Sequence, residues 1–166
     1  MKRAKDVIVR VNEEFAQMSG RQYGDGLVQS HRIEDADMAI ICLGATAGTT
    51  RTVVDELRAK AVKVGVVKLR TFRPFPVNEL TDALRGVKAI AVFDRSGAYG
   101  AIGGPLFNEV RSALYDFDER PLVVDYIYGL GGRDVPPKLI REVYEDLEDI
   151  LKTGKVDERI RFLGVR

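Results

Sequence analysis

Four short apolar runs constrain this chain more than any other feature: Met38–Leu43, Val62–Leu69, Val87–Phe93 and Leu122–Tyr126. Each is largely apolar at successive positions, where a half-exposed strand would alternate. A strand with two apolar faces must be covered on both sides, as a central strand of a parallel sheet is. The segments between the runs have helical periodicity. Thr50–Ala61 brings Val53, Val54, Leu57 and Ala61 to one face. Pro76–Leu84 opens on a proline and stops at Gly86, and Pro105 opens a segment carrying Leu106, Val110 and Leu114. Val135–Leu151 carries a continuous stripe from Leu139 to Leu151, with Asp134 expected as its N-cap and Gly154 as its stop. Three strand–helix–strand repeats require right-handed crossovers and give a three-layer α/β/α domain.

Ahead of these runs, Asp6–Met18 places Val7, Val11, Phe15 and Met18 at helical spacing, with Gly20 as a stop. The stretch from Arg21 to Asp37 contains one candidate edge strand, Leu27–Ile33. The expected division is a connector helix over 1–20, the α/β domain over 21–152 and a tail over 153–166. At 166 residues this is one domain of ordinary size.

Charge and cysteine content then exclude several classes. Lys and Arg total 26 against 25 Asp and Glu, so nothing favours nucleic acid or an acidic membrane surface. The same near balance permits a homodimer without demanding one. No apolar run approaches the roughly 20 residues that span a bilayer, and the expected location is cytoplasmic. Cys42 is the only cysteine, so this chain alone is expected to bind no zinc or iron–sulfur centre.

Ligands of open parallel sheets bind beyond the carboxyl ends of the strands. Four loops fall there: 44–50, 70–76, 94–104 and 128–134. The first, third and fourth bring glycine to a helix start, including Gly44, Gly48, Gly100, Gly103 and Gly131. Such a turn exposes N–H groups to an anion, with Thr46 adding a hydroxyl, and suits a phosphate, nucleotide or carboxylate. Glycine is equally what a tight strand-to-helix turn requires, and neither the dinucleotide fingerprint nor the P-loop is present. Arg70 and Arg73 flank Phe72 and can clamp an anion, bridge to a partner or pair within the chain. Arg133 is expected to pair with Asp134. His31 reads as a surface residue with no nucleophile beside it, and Cys42 as a small hydrophobe inside a strand. Asp55 and Glu56 read as solvated partners of Arg51 and Arg58. No set of residues makes a complete catalytic centre.

Several segments, in order and spacing, carry a family resemblance: Gly20-Arg21-Gln22-Tyr23-Gly24, Glu34-Asp35-Ala36-Asp37, Leu43 to Thr49, Leu69 to Pro76, Asp94-Arg95-Ser96 and Gly129 to Asp134. Together they resemble the C-terminal part of the alpha subunit of pyruvate:ferredoxin oxidoreductase and its 2-oxoacid relatives, from about Arg10 through the closing Phe162-Leu163-Gly164-Val165-Arg166. The resemblance implies a transketolase C-terminal-like domain, with a mostly parallel five-stranded sheet and an antiparallel edge strand. It also implies oxidative decarboxylation of a 2-oxoacid to an acyl-coenzyme A, with thiamine diphosphate and iron–sulfur clusters held by other domains or subunits and electrons passed to ferredoxin. The thiamine-interacting N-terminal domain that precedes this region in the family is not in the sequence, so another chain supplies it or the sequence is a fragment. Ala45 stands where the family leads one to expect serine, and His31 where it leads one to expect an aromatic. The role implied is assembly and active-site support. The competing reading is a stand-alone binding module for a phosphorylated ligand such as coenzyme A.

Overall fold

The computed structural model describes residues 2–165, so Met1 and the closing Arg166 of the C-terminal motif lie outside the described residues. In chain order the elements are α1 (Lys2–Ser19), β1 (Val28–His31), β2 (Met38–Leu43), α2 (Thr46–Arg58), β3 (Val64–Leu69) and α3 (Val77–Ala83). There follow β4 (Ala89–Asp94), α4 (Pro105–Ala113), β5 (Leu122–Tyr128), a 3-10 turn (Leu130–Gly132), α5 (Pro137–Thr153) and β6 (Ile160–Leu163). The strands form one sheet in the order β1-β3-β2-β4-β5-β6. Four neighbouring pairs are parallel and β1 runs antiparallel to β3, with Val28 opposite Leu69. The antiparallel edge strand and the three-layer architecture are those expected. The sheet has one strand more than the expected five, because residues 160–163 pair with β5.

Alternation along the central strands divides the core. Ile40 and Cys42 of β2, Ala91 and Phe93 of β4, and Val124 and Tyr126 of β5 pack against Val53 and Val54 of α2 and Ile140, Val143 and Leu147 of α5. Their neighbours Ala39, Ile41, Ile90 and Val92 pack on the other face against Leu80 of α3 and Leu106, Phe107 and Val110 of α4. Two apolar faces meeting two helical layers is what the unbroken apolar runs required.

Several details differ from expectation. The last helix begins at Pro137, with Pro136 at its N-cap in extended conformation, so Asp134 does not cap it. The cause is the proline pair: the residue before a proline is pushed out of the helical region, which holds both Val135 and Pro136 extended. Helix α2 starts four residues before the expected Thr50. Asp55 and Glu56 are not partners of Arg51 and Arg58. Asp55 lies 2.9 Å from Nε2 of His31 and 3.4 Å from Nε of Arg32, and Glu56 pairs with Arg141 at 2.7 Å. Arg58 instead joins the β1–β2 connection to β3. It donates to the carbonyls of Val64 and Arg32, each at 2.6 Å, and pairs with Asp35 at 2.8 Å.

Candidate functional site

The chain runs from β2 through α2 to β3 on one side, and from β3 through α3 to β4 on the other. Strand order therefore reverses between β2 and β4, and the loops leaving their carboxyl ends diverge onto opposite faces of the sheet. This is the position at which open α/β sheets leave a crevice. The crevice here is a concavity of about 470 Å³ lined by residues that include Ala45, Thr46, Thr49, Arg95, Tyr128 and Arg133. A smaller hollow of about 280 Å³ adjoins it, against Gly44, Phe93 and Asp94.

Its floor is fixed by side chains from three elements. Tyr128 ends β5 with its hydroxyl 2.8 Å from Oγ1 of Thr46, in the first turn of α2. Burial pushes the Tyr128 phenol up from its ordinary value, and the Thr46 hydrogen bond opposes that only in part. The guanidinium of Arg95 sits over the Tyr128 ring, 5.6 Å from its centroid. The start of α2 carries no side-chain cap. The site thus combines two guanidinium groups, an uncapped helix start and two hydroxyls with one carboxylate, Asp134, a lining of net positive charge that suits an anionic group. It holds no nucleophile with a base beside it.

The sequence candidates separate. Gly44 and Thr46 lie at the concavity, and Gly48 is inside α2 with open space beside it. Arg133 lines the concavity and donates to the carbonyl of Leu130 at 3.3 Å, with no ion pair to Asp134 within 4.0 Å among the described residues. The backbone at Arg133 is extended, which sends neighbouring side chains to opposite sides and so separates Arg133 from Asp134. Gly131, in left-handed conformation, shapes the turn that precedes Arg133. Gly100 lies in the exposed loop ahead of α4. Arg70 and Arg73 do not reach the concavity. Arg73 lies over Phe72 at 4.3 Å and pairs with Glu109 of α4 at 2.5 Å. Arg70 lies over Tyr23 at 5.1 Å, beside α1.

Gly103 belongs to a second arrangement at the start of α4, where the 94–104 loop meets Asp125, a residue that no sequence motif singled out. Asp94, at the end of β4, accepts the N–H groups of Leu106 and Phe107 at 3.0 and 2.8 Å. Asp125, within β5, accepts the N–H of Gly104 at 2.6 Å through Oδ2, while its buried Oδ1 has no partner. Burial drives the Asp125 carboxyl up to about 7; the Gly104 N–H opposes the rise and the Asp94 charge adds to it. Burial likewise raises Asp94, against the pull of its two N–H donors. A Cβ on Gly104 would overlap the Asp94 carboxyl, and one on Gly103 would lie 2.8 Å from Oδ2 of Asp125. The available signal was an acid inside an otherwise apolar strand, since a buried carboxylate needs donors.

Cys42 is fully buried and its thiol is pushed up to about 12, chiefly by burial. One buried cysteine does not fit an iron–sulfur cluster. Among the described residues no group of three or more His, Cys, Asp or Glu is placed to hold a metal ion. Among those residues no helix is long and apolar enough to cross a membrane.

Residues 36–140 match the family described as pyruvate:ferredoxin oxidoreductase core domain II. Over 166 residues the chain is 40% identical to pyruvate synthase subunit PorA of Thermotoga maritima, covering all of this chain and 41% of that protein. Over 163 residues it is 41% identical to ketoisovalerate oxidoreductase subunit VorA of Pyrococcus horikoshii, covering 98% of this chain and 41% of that protein. The chain thus spans about two-fifths of the length of these curated relatives. Among solved structures, a 2-oxoglutarate:ferredoxin oxidoreductase from Magnetococcus marinus, with 2-oxoglutarate, coenzyme A and succinyl-CoA bound, shares the fold. Its TM-score is 0.55 at 21% identity, over 83% of this chain and 22% of that one. A split-gene transketolase shares it too, with a TM-score of 0.53 at 19% identity, over 81% of this chain and 44% of that one. With more than half its length matched by that family, the chain belongs to the pyruvate:ferredoxin oxidoreductase core domain II family.

Proposed function

We propose that this chain is the core domain II part of a thiamine-diphosphate-dependent 2-oxoacid:ferredoxin oxidoreductase, acting in assembly and in support of an active site built largely by other polypeptide. The observation that carries this is the end-to-end match to a pyruvate synthase subunit of which the chain makes up only 41%. A single, fully buried cysteine does not fit an iron–sulfur cluster, which supports placing the clusters on other polypeptide. Thiamine diphosphate, the clusters and the coenzyme A chemistry then belong to other domains or subunits, and ferredoxin meets the complex rather than this chain. Pyruvate and 2-oxoisovalerate are the substrates suggested by the relatives' names. The connector, domain and tail divisions at residues 20 and 152, and a cytoplasmic location, are part of the same reading. The experiment is reconstitution. The purified chain should reduce no redox dye with any 2-oxoacid, and should restore reduction when joined to the remaining polypeptide of the enzyme. Turnover by the chain alone would end this proposal.

Within that role the concavity at Thr46, Arg95, Tyr128 and Arg133 takes an anionic group, from a ligand or from an adjoining domain. Calorimetry with coenzyme A distinguishes the two. Micromolar binding lost in Arg95→Ala and Arg133→Ala supports a ligand, and no heat at millimolar coenzyme A supports the domain contact.

A further inference from the structure

Helix α1 carries its apolar stripe on the outside of the molecule. Val7, Val11, Phe15 and Met18 lie 4, 4 and 3 residues apart, and are 45%, 51%, 47% and 89% exposed. Large apolar side chains gathered in a row mark an interaction surface rather than scattered surface hydrophobics. The helix is not a loose end. Ile8 and Val9 pack into the core layer that contains α3 and α4. Lys5 pairs with Glu79 at 2.6 Å, and Asn12 donates to the carbonyl of Gly24 at 3.1 Å. The Phe15 ring stacks on Tyr23 with centroids 6.4 Å apart. The stripe is therefore presented rigidly, beside a groove of about 590 Å³ that runs from Val7 past Phe15 to Tyr23 and Arg70. Arg70 has no ion-pair partner among the described residues and is the only charged residue lining the groove.

We infer that the α1 stripe and its groove are the docking surface for the polypeptide that makes up the other three-fifths of the relatives' chains, with a carboxylate of that polypeptide meeting Arg70. This rests on the function proposed above and names the surface through which the assembly forms. Two observations choose this occupant. In the relatives the matched segment includes all of α1 within a chain well over twice as long, so there the counterpart of the stripe has a large body of the same chain to cover it. The groove lining also offers a cation and no carboxylate, so an apolar segment carrying Asp or Glu completes it.

The test uses the enzyme as isolated from its source cells through an affinity tag on this chain, with a photo-crosslinking amino acid at position 11 or 15 and, as a control, at Arg51 on α2. Crosslinks from 11 and 15, but not 51, to polypeptide related to the unmatched part of PorA are the expected result. Val11→Glu combined with Met18→Glu should weaken that association on the order of 100-fold without lowering the melting temperature of the chain, and Arg70→Ala should weaken it less. Crosslinks only to a second copy or to lipid, or an assembly unaffected by the double substitution, would overturn the surface assignment while 2-oxoacid-dependent reduction survives. Failure of any PorA-like polypeptide to co-purify, with no such reduction, would overturn the function proposed above and this assignment with it.

Discussion

Asp125 is a carboxyl with none of its surface exposed. With one oxygen bound to the Gly104 N–H, the other unpartnered and Asp94 close by, its carboxyl is raised from 3.8 to about 7. A raised carboxyl binds its proton more tightly in the folded state than in the unfolded one. Between about pH 4 and pH 7 the unfolded chain has lost that proton while the folded chain keeps it, so stability falls as pH rises through this window. The full effect is of order 2–4 kcal/mol. Denaturant titrations at pH 5 and pH 8 should show the decline, and Asp125→Asn should flatten it and be the more stable protein at pH 8. Asp94 acts differently, because it satisfies two N–H groups at the start of α4. Asp94→Ala leaves both without a partner and should cost about 2–4 kcal/mol at neutral pH, read from the urea midpoint.

At the scale of elements, two glycines that look alike in the sequence have opposite roles. Gly104 brings the start of α4 against the end of β4 so closely that a methyl group there would occupy the space of the Asp94 carboxyl. Gly104→Ala should therefore cost more than about 2 kcal/mol. Gly48 lies in α2 with nothing within 4 Å of the place a methyl group would take, and with φ outside the left-handed region. Gly48→Ala should raise stability by about 0.5–1 kcal/mol, because alanine loses less conformational freedom in a helix. Thermal melts of the two variants should move in opposite directions. On the other face, the buried Tyr144 of α5 donates to the carbonyl of Gly65 in β3 at 2.9 Å, tying helix to sheet. Tyr144→Phe leaves that carbonyl unmet and should cost about 1–2 kcal/mol.

For the molecule as a whole, the sixth strand closes what would otherwise be an open sheet edge. Arg161 of β6 pairs with Asp146 of α5, and Tyr126 of β5 donates to the same carboxylate. Strand, helix and sheet thus meet at one acid, and Leu163 and Val156 add apolar cover. Deleting residues 155–166 exposes the β5 edge, and such an edge recruits other strands. The truncated chain should melt several degrees lower and show concentration-dependent association by light scattering. The opposite end of the molecule has the reverse character, since α1 leaves an apolar stripe uncovered. Both ends follow one rule: apolar area is covered where the chain supplies an element to pack on it, and stays exposed where it does not.

The architecture was legible because it depends on patterns along the chain. The apolar runs dictate a sheet covered on both faces, and the spacing of Leu80, Val110 and Leu147 with their neighbours dictates the helices above and below it. The start of α5 is written in Pro136 and Pro137, whose backbone restriction is stronger than the capping preference of Asp134. The site was only partly legible. Gly44, Thr46 and Arg133 fall at the crevice, but Arg70 and Arg73 end beside Tyr23 and Glu109, because which loops share an edge depends on strand order and helix side. The pairing of Tyr128 with Thr46 spans 82 residues, and that of Asp125 with Gly104 spans 21. The exposed face of α1 was beyond local reading for a related reason. Helical spacing shows that Val7, Val11, Phe15 and Met18 lie on one side, but only the packed neighbours decide whether that side meets the core or faces outward.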